Sequence, residues 1–181
     1  FRKTVDEAIQ YAEKKGVLIV STAGNSGRNL DSTLVFPNRI PSTGPIAKNW
    51  VVVGNSTHQL NENLASANTG FGKKAVDILA PGTMVYSATP GNQYSMGTDS
   101  RYSAAVVSGI AALVWSCFPS LTAADIKKAI LESAFQPAGL QVRKPGSVKK
   151  TTLDQLYGTA GIVNAKKMVF AAEKLAKKRK S

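Results

Sequence analysis

The stretch Thr89-Pro90-Gly91-Asn92-Gln93-Tyr94-Ser95-Met96-Gly97-Thr98-Asp99-Ser100-Arg101-Tyr102-Ser103-Ala104-Ala105-Val106-Val107-Ser108-Gly109-Ile110-Ala111-Ala112-Leu113-Val114 decides how this chain is read. Its second half has apolar positions at helical spacing: Ala104, Val107, Ala111 and Val114, with Trp115 and Phe118 beyond them. They predict a helix buried over much of its surface, stopped at Pro119. Cys117 continues the run and is expected to be a buried structural thiol. It is the only cysteine, so no disulfide forms within the chain and a zinc site built on several cysteines is excluded.

The same pattern extends outward on both sides. Downstream, Thr122 caps a helix whose inner face is Ile126, Ala129, Ile130 and Ser133. Residues 134–160 read as loop with a short hairpin. Ala165, Met168, Val169, Ala172, Leu175 and Ala176 form the apolar stripe of a last helix. Upstream, Met84-Val85-Tyr86-Ser87 and Ala75-Val76-Asp77-Ile78-Leu79-Ala80 are short strand signals separated by the turn pair Pro81-Gly82. Trp50-Val51-Val52-Val53-Gly54 and Val17-Leu18-Ile19-Val20 are continuous apolar runs, as expected of parallel strands buried on both faces. Near the start, Thr4-Val5-Asp6-Glu7 has capping-box spacing, and Val5, Ala8, Ile9 and Ala12 mark one helix face ended by Gly16. Between Gly24 and Asn49 lies a long irregular stretch rich in Gly, Pro, Asn and Ser. Strands interspersed with helices argue for an α/β sheet with helices on its faces.

The chain has 181 residues, enough for one well-buried domain, and an ordinary 43% hydrophobic content. No apolar run approaches the roughly 20 residues of a membrane helix. Phe1-Arg2-Lys3 leads straight into a helical pattern, with no signal peptide in view. The formal net charge is +12. Much of it sits late, from Arg143, Lys144, Lys149 and Lys150 to Lys174, Lys177, Lys178, Arg179 and Lys180. No nucleic-acid motif accompanies this basic tail, so a solvated helix face is expected and nucleic acid is not.

Three segments, in order, resemble the second half of a subtilisin-like serine protease (a subtilase, of the S8 peptidases). Val20-Ser21-Thr22-Ala23-Gly24-Asn25-Ser26-Gly27 is similar to the family's strand running into A-G-N-x-G. Val51-Val52-Val53-Gly54, Leu64-Ala65-Ser66-Ala67-Asn68-Thr69-Gly70 and Val76-Asp77-Ile78-Leu79-Ala80-Pro81-Gly82 resemble its scaffold landmarks. The opening stretch resembles the turn and helix that carry the nucleophile, and Gly161-Ile162-Val163-Asn164-Ala165 resembles the start of the family's last helix. The resemblance implies a three-layer αβα fold with a mostly parallel sheet, here incomplete and covering the second half only. It implies that residues 1–181 are the C-terminal portion of the catalytic domain, with a basic helix at about 165–180.

The resemblance also implies roles for single residues. Asn25 stands at the oxyanion-hole position, where a fixed side-chain amide stabilises the alkoxide formed by attack on a peptide carbonyl. Ser21, Ala23 and Gly24 stand at substrate-binding positions. The family's serine sits at a helix N-terminus, in the pattern G-T-S-x-A-x-P. With Pro90–Tyr94 and Val107-Ser108-Gly109 aligned without a gap, Asp99 falls at the glycine, Ser100 at the threonine, Arg101 at the serine and Ala105 at the proline. A guanidinium stays protonated and has no free lone pair for attack. Ser100 is an alternative nucleophile only if an insertion after Thr98 shifts the register; Ser103 is a further nearby hydroxyl. An Asp99–Arg101 ion pair, with Arg101 at the mouth of the specificity pocket, is expected. Only 24 residues precede Asn25, and the family's catalytic Asp and His lie on earlier elements. The one histidine, His58, is expected in a solvent-exposed loop, and Asp77 is a scaffold landmark.

The expected activity is therefore peptide-bond hydrolysis for the family, but not for this chain alone. Two alternatives stand beside it: a pseudoprotease serving as a binding or structural module, and one half of a two-chain protease. No cofactor and no metal site are implied. The expected partners are a peptide or protein substrate, the N-terminal half of the domain, or a second copy of the chain. Secretion or export to the periplasm follows from the resemblance alone.

Overall fold

The computed structural model describes residues 2–40 and 46–180, apart from the Lys180 side chain; Phe1, residues 41–45 and Ser181, which the sequence reading touched, lie outside the described residues. The elements in chain order are α1 (Arg2–Lys14), β1 (Ile19–Thr22), β2 (Trp50–Ser56), β3 (Ile78–Pro81), β4 (Val85–Thr89), β5 (Gln93–Gly97), α2 (Ser100–Cys117), α3 (Ala123–Glu132), β6 (Gln141–Arg143), β7 (Lys150–Thr152) and α4 (Ala165–Lys180). A 3-10 turn, Leu153–Gln155, follows β7.

The centre is a parallel sheet in the order β1-β2-β3, with Val20 opposite Val51 and Val53 opposite Ile78. Strand periodicity sorts its residues to two faces. Val51, Val53, Ile78 and Ala80 pack with Val107, Ala111 and Val114 of α2, Ile126 and Ile130 of α3, and Met168 and Ala172 of α4. Trp50, Val52 and Leu79 face the other way, onto Leu64, Phe71, Val76, Val142, Leu156 and Tyr157, with Ile9 of α1 at the margin. The expected α/β architecture is therefore present, incomplete: helices flank a short parallel sheet.

Two edges of this sheet differ. Beyond β3, Leu79 bridges Ile162, with the Leu79 amide donating to Gly161 O at 3.0 Å and the Val163 amide to Leu79 O at 2.9 Å. The Gly161–Ala165 landmark thus closes one edge before the Asn164 side chain accepts from the Lys167 amide in the first turn of α4. Among the described residues, β1 pairs with β2 and with no other strand.

Several expectations need correction. β1 begins two residues later than the Val17–Val20 run and is half-buried rather than buried on both faces, because it lies at the sheet edge. Thr4 lies inside α1 rather than capping it, and Arg2 and Asp6 pair one turn apart at 3.9 Å. α2 buries one stripe, Ser100, Ser103, Val107, Ala111 and Val114, and leaves Leu113 exposed. Cys117, in its last turn, is exposed rather than buried. Pro90–Asn92 turns β4 into β5, a strand missed in the sequence; Gly91 and Asn92 both take positive φ there. The Thr122 cap, with Asp125 completing a capping box, and the β6–β7 hairpin are as expected.

Candidate active site

The site forms where the end of β1 meets the start of α2. After Thr22 the chain turns at Gly24, whose φ of +75° favours glycine. The turn rests on the segment ending at Gly70: the Gly70 amide donates to Gly24 O at 3.0 Å, and the Gly27 amide to Asn68 O at 2.8 Å. A Cβ at Gly70 would overlap Ala23 O, which gives that glycine its physical reason. Likewise Gly82, after β3, lies under the first turn of α2. The Asp99 amide donates to Gly82 O at 2.9 Å, and a Cβ at Gly82 would overlap Ser103 Oγ.

Asp99 is the N-cap of α2. Its carboxylate accepts from the Arg101 amide at 2.8 Å and from the Arg101 guanidinium at 2.7 Å. The ion pair expected from sequence is therefore made. The guanidinium beside it holds the Asp99 carboxyl well below the usual carboxylate range; the Arg101 amide and a hydrogen bond with Asn25 add to this against the cost of burial. In return Asp99 raises the Arg101 pKa.

Asn25 reaches this cap from the β1 side. Its Oδ1 accepts from the Ser100 amide at 3.0 Å. The Asn25 side-chain amide is thus tied to both Ser100 and Asp99. Ser100 is fully buried, and its hydroxyl is hydrogen-bonded to Thr22 Oγ1, which also accepts from the Gly24 amide at 2.9 Å. Ser103 is fully buried one turn later, and its Oγ has no hydrogen-bond partner among the described residues.

Arg101 is the second residue of α2, and its side chain is 80% exposed. It stands at the rim of a cavity of about 550 Å³ that Ser21, Ala23 and Gly24 line together with Leu30, Leu34 and Phe36. The sequence reading therefore brought together Asn25, Ser100, Arg101, Ser21, Ala23 and Gly24; all lie around one cap and one cavity. His58 is exposed in the loop after β2. Asp77 is buried, gripped by Arg39 Nη1 at 2.6 and 2.7 Å, and accepts from the Val52 amide at 2.9 Å. It holds the cavity's outer loop to the sheet, consistent with a scaffold landmark.

Sequence reasoning missed Thr22, Asp99's capping role and Arg39. An Asp immediately before a helical run is a capping signal that was available. Nothing local announces Thr22 or Arg39, whose partners lie 78 and 38 residues away.

The Subtilase family model (Peptidase S8) matches residues 1–160. The chain belongs to the subtilase family. It is 33% identical over 131 residues to alkaline elastase YaB of Bacillus sp. (strain YaB), covering 72% of this chain and 31% of that protein. It is 27% identical over 144 residues to subtilisin-like protease 3 of Plasmodium falciparum (isolate 3D7), covering 75% of this chain and 19% of that protein. Among solved structures, a chain of the subtilase cytotoxin SubAB assembly superposes with a TM-score of 0.74 at 22% identity, covering 93% of this chain and 53% of that one. This subtilase chain thus spans about half the length of that solved chain and less of the curated relatives. Among the described residues, no helix is long and apolar enough to cross a membrane.

Proposed function

We propose that residues 1–181 are the C-terminal half of a subtilisin-like catalytic domain that has kept the peptide-binding cavity and does not hydrolyse peptide bonds by itself. One observation carries this reading: Arg101 occupies the first turn of α2, next to Ser100, whose amide donates to Asn25, and the family pattern calls for serine at the Arg101 position. Attack on a carbonyl needs an accessible lone pair activated by a base. Arg101 has none to give, the Ser100 hydroxyl is buried against Thr22, and Ser103 is buried behind it. The chain is then a binding module built on a protease scaffold, exported by analogy with the family.

The test is incubation of the chain with fluorogenic peptides and with a fluorophosphonate probe. Neither turnover nor labelling is expected. Turnover that disappears on Asn25→Ala or Ser100→Ala would overturn the reading.

A second reading has one observation in its favour. Among the described residues β1 pairs with a strand on one side only, so its other edge is open to a further strand. A separate chain or the N-terminal half of the domain, docking there, would supply the catalytic Asp and His. Such an assembly still lacks a nucleophile in register. Labelling of Ser100 or Ser103 in the assembled complex would favour it over the first reading.

A further inference from the structure

We propose that the cavity beside Arg101 is a receptor for a peptide C-terminus, with an apolar last side chain inside the cavity and the terminal carboxylate on the Arg101 guanidinium. This rests on the peptide-binding reading above and names its ligand.

The cavity selects for an apolar group. Val20, Leu30, Leu34, Phe36, Trp50 and Ala104 form much of its wall. Most of its polar side chains are committed elsewhere. Ser21 Oγ accepts from Trp50 Nε1 at 2.6 Å, and Thr22 Oγ1 serves the Gly24 amide and the Ser100 hydroxyl. Arg39, the other cation of the lining, is spent on Asp77 and on Lys74 O, with its side chain 13% exposed. A polar group placed in this cavity would leave water for few partners, whereas an apolar one gains by burial.

The rim selects for a carboxylate. Arg101 presents a planar fork of five N–H donors, and Asp99 Oδ2 engages Nη2. A second carboxylate can take another N–H edge of the same guanidinium in a charge-assisted pair. The Asp99 charge is already shared between the Arg101 amide and guanidinium, and the N-terminal end of the α2 dipole adds positive potential at this point. The chain's net charge of +12 draws acidic ligands toward the site. An uncharged internal peptide carbonyl uses little of this arrangement. A chain terminus uses all of it, since its carboxylate is one rotatable bond from the side chain that fills the cavity.

The test compares two fluorescein-tagged hexapeptides of identical sequence ending in Phe, one as the free acid and one as the C-terminal amide, by fluorescence anisotropy on the full chain. The acid is expected to bind about two- to fivefold more tightly, the range of an exposed ion pair. Added NaCl should narrow the gap, and Arg101→Gln, at a side chain that is 80% exposed, should reduce the ratio to about one. A third acid ending in Gly should bind more weakly than the Phe acid. Equal binding of acid and amide overturns the proposal and leaves the peptide-binding reading standing. A preference that survives Arg101→Gln also overturns it. Binding of neither peptide, with native circular dichroism, overturns the peptide-binding reading and the proposal together.

Discussion

Gly82→Ala should break the join between the sheet and the candidate site. An added Cβ would overlap Ser103 Oγ and stand 2.7 Å from the Asp99 carbonyl oxygen and 2.8 Å from Asn55 Oδ1. Two of these atoms belong to α2 or its cap, and the helix is fixed against the sheet through Val107, Ala111 and Val114. The strain therefore cannot be absorbed by one flexible side chain. Overpacking in a tight core costs about 1–3 kcal/mol, and the clash with backbone places this case near 3 kcal/mol. For a chain of this length that lowers Tm by roughly 6–12 °C. Ser103→Ala removes the worst overlap. By itself it should cost only about 0–1 kcal/mol, because lost packing is offset by loss of a buried hydroxyl with no hydrogen-bond partner among the described residues. The double variant should regain about 1 kcal/mol relative to additivity, the residue being the contact with Asp99 O. Urea denaturation of the four chains measures this cycle. A Gly82→Ala cost below about 0.5 kcal/mol, or strictly additive effects, would refute the reasoning.

Three further outcomes follow from single contacts. Arg39→Ala strips Asp77 of its buried ion partner and leaves it the Val52 amide, so a loss of about 3 kcal/mol in urea denaturation is expected. Asp99→Ala removes the α2 N-cap and should cost about 1 kcal/mol, while Asp99→Asn keeps a capping oxygen and should cost about half of that. Because the Asp99 carboxyl is held low in the folded chain, its charge contributes fully above the unfolded carboxylate pKa of about 4 and is lost as pH falls through the folded value. The stability gap between the parent chain and Asp99→Asn should thus be constant from neutral pH to about pH 5 and shrink below about pH 4. Sedimentation velocity should find the chain self-associated or bound to a partner through the open β1 edge; a stable monomer contradicts this.

Local pattern made much of the fold legible. Val51–Val53 is apolar without a break because both faces of the central strand are covered. Pro119 and Thr122 bracket the α2–α3 corner by their backbone chemistry alone. What failed was burial that depends on distant partners. Cys117 sits on an apolar run, yet α2 has packing on one side only. β5 escaped notice because Gln93, Tyr94, Ser95 and Met96 are all exposed, so no buried face imposes alternation on them. Its tyrosine instead stacks on Tyr86 across the hairpin, with ring centroids 5.6 Å apart. At the site, the residue types were legible and their liaisons were not. Asn25 and Ser100 lie 75 residues apart, and the hydrogen bond between them follows from the fold.

Those liaisons make Asp99, Ser100 and Arg101 one unit, which bears on any attempt to install a hydroxyl nucleophile at position 101. Arg101→Ser would place a hydroxyl on the first turn of α2. It would also remove the cation that holds the Asp99 carboxylate, leaving that charge to the backbone amide of residue 101 and to Asn25. On the proposed reading Asn25 donates to the oxyanion, and an adjacent unneutralised carboxylate opposes the charge of that oxyanion. Arg101→Ser alone should therefore give no turnover of fluorogenic peptides, even with a separate chain supplying a base. Its direct signature is the titration of Asp99, followed by carbon-detected NMR. Loss of the Arg101 guanidinium, the largest influence on that carboxyl, should bring it back toward the ordinary carboxylate range. An Asp99 that stays as low in Arg101→Ser as in the parent chain would mean the cap and Asn25 hold it without the arginine, and the three residues would not act as a unit.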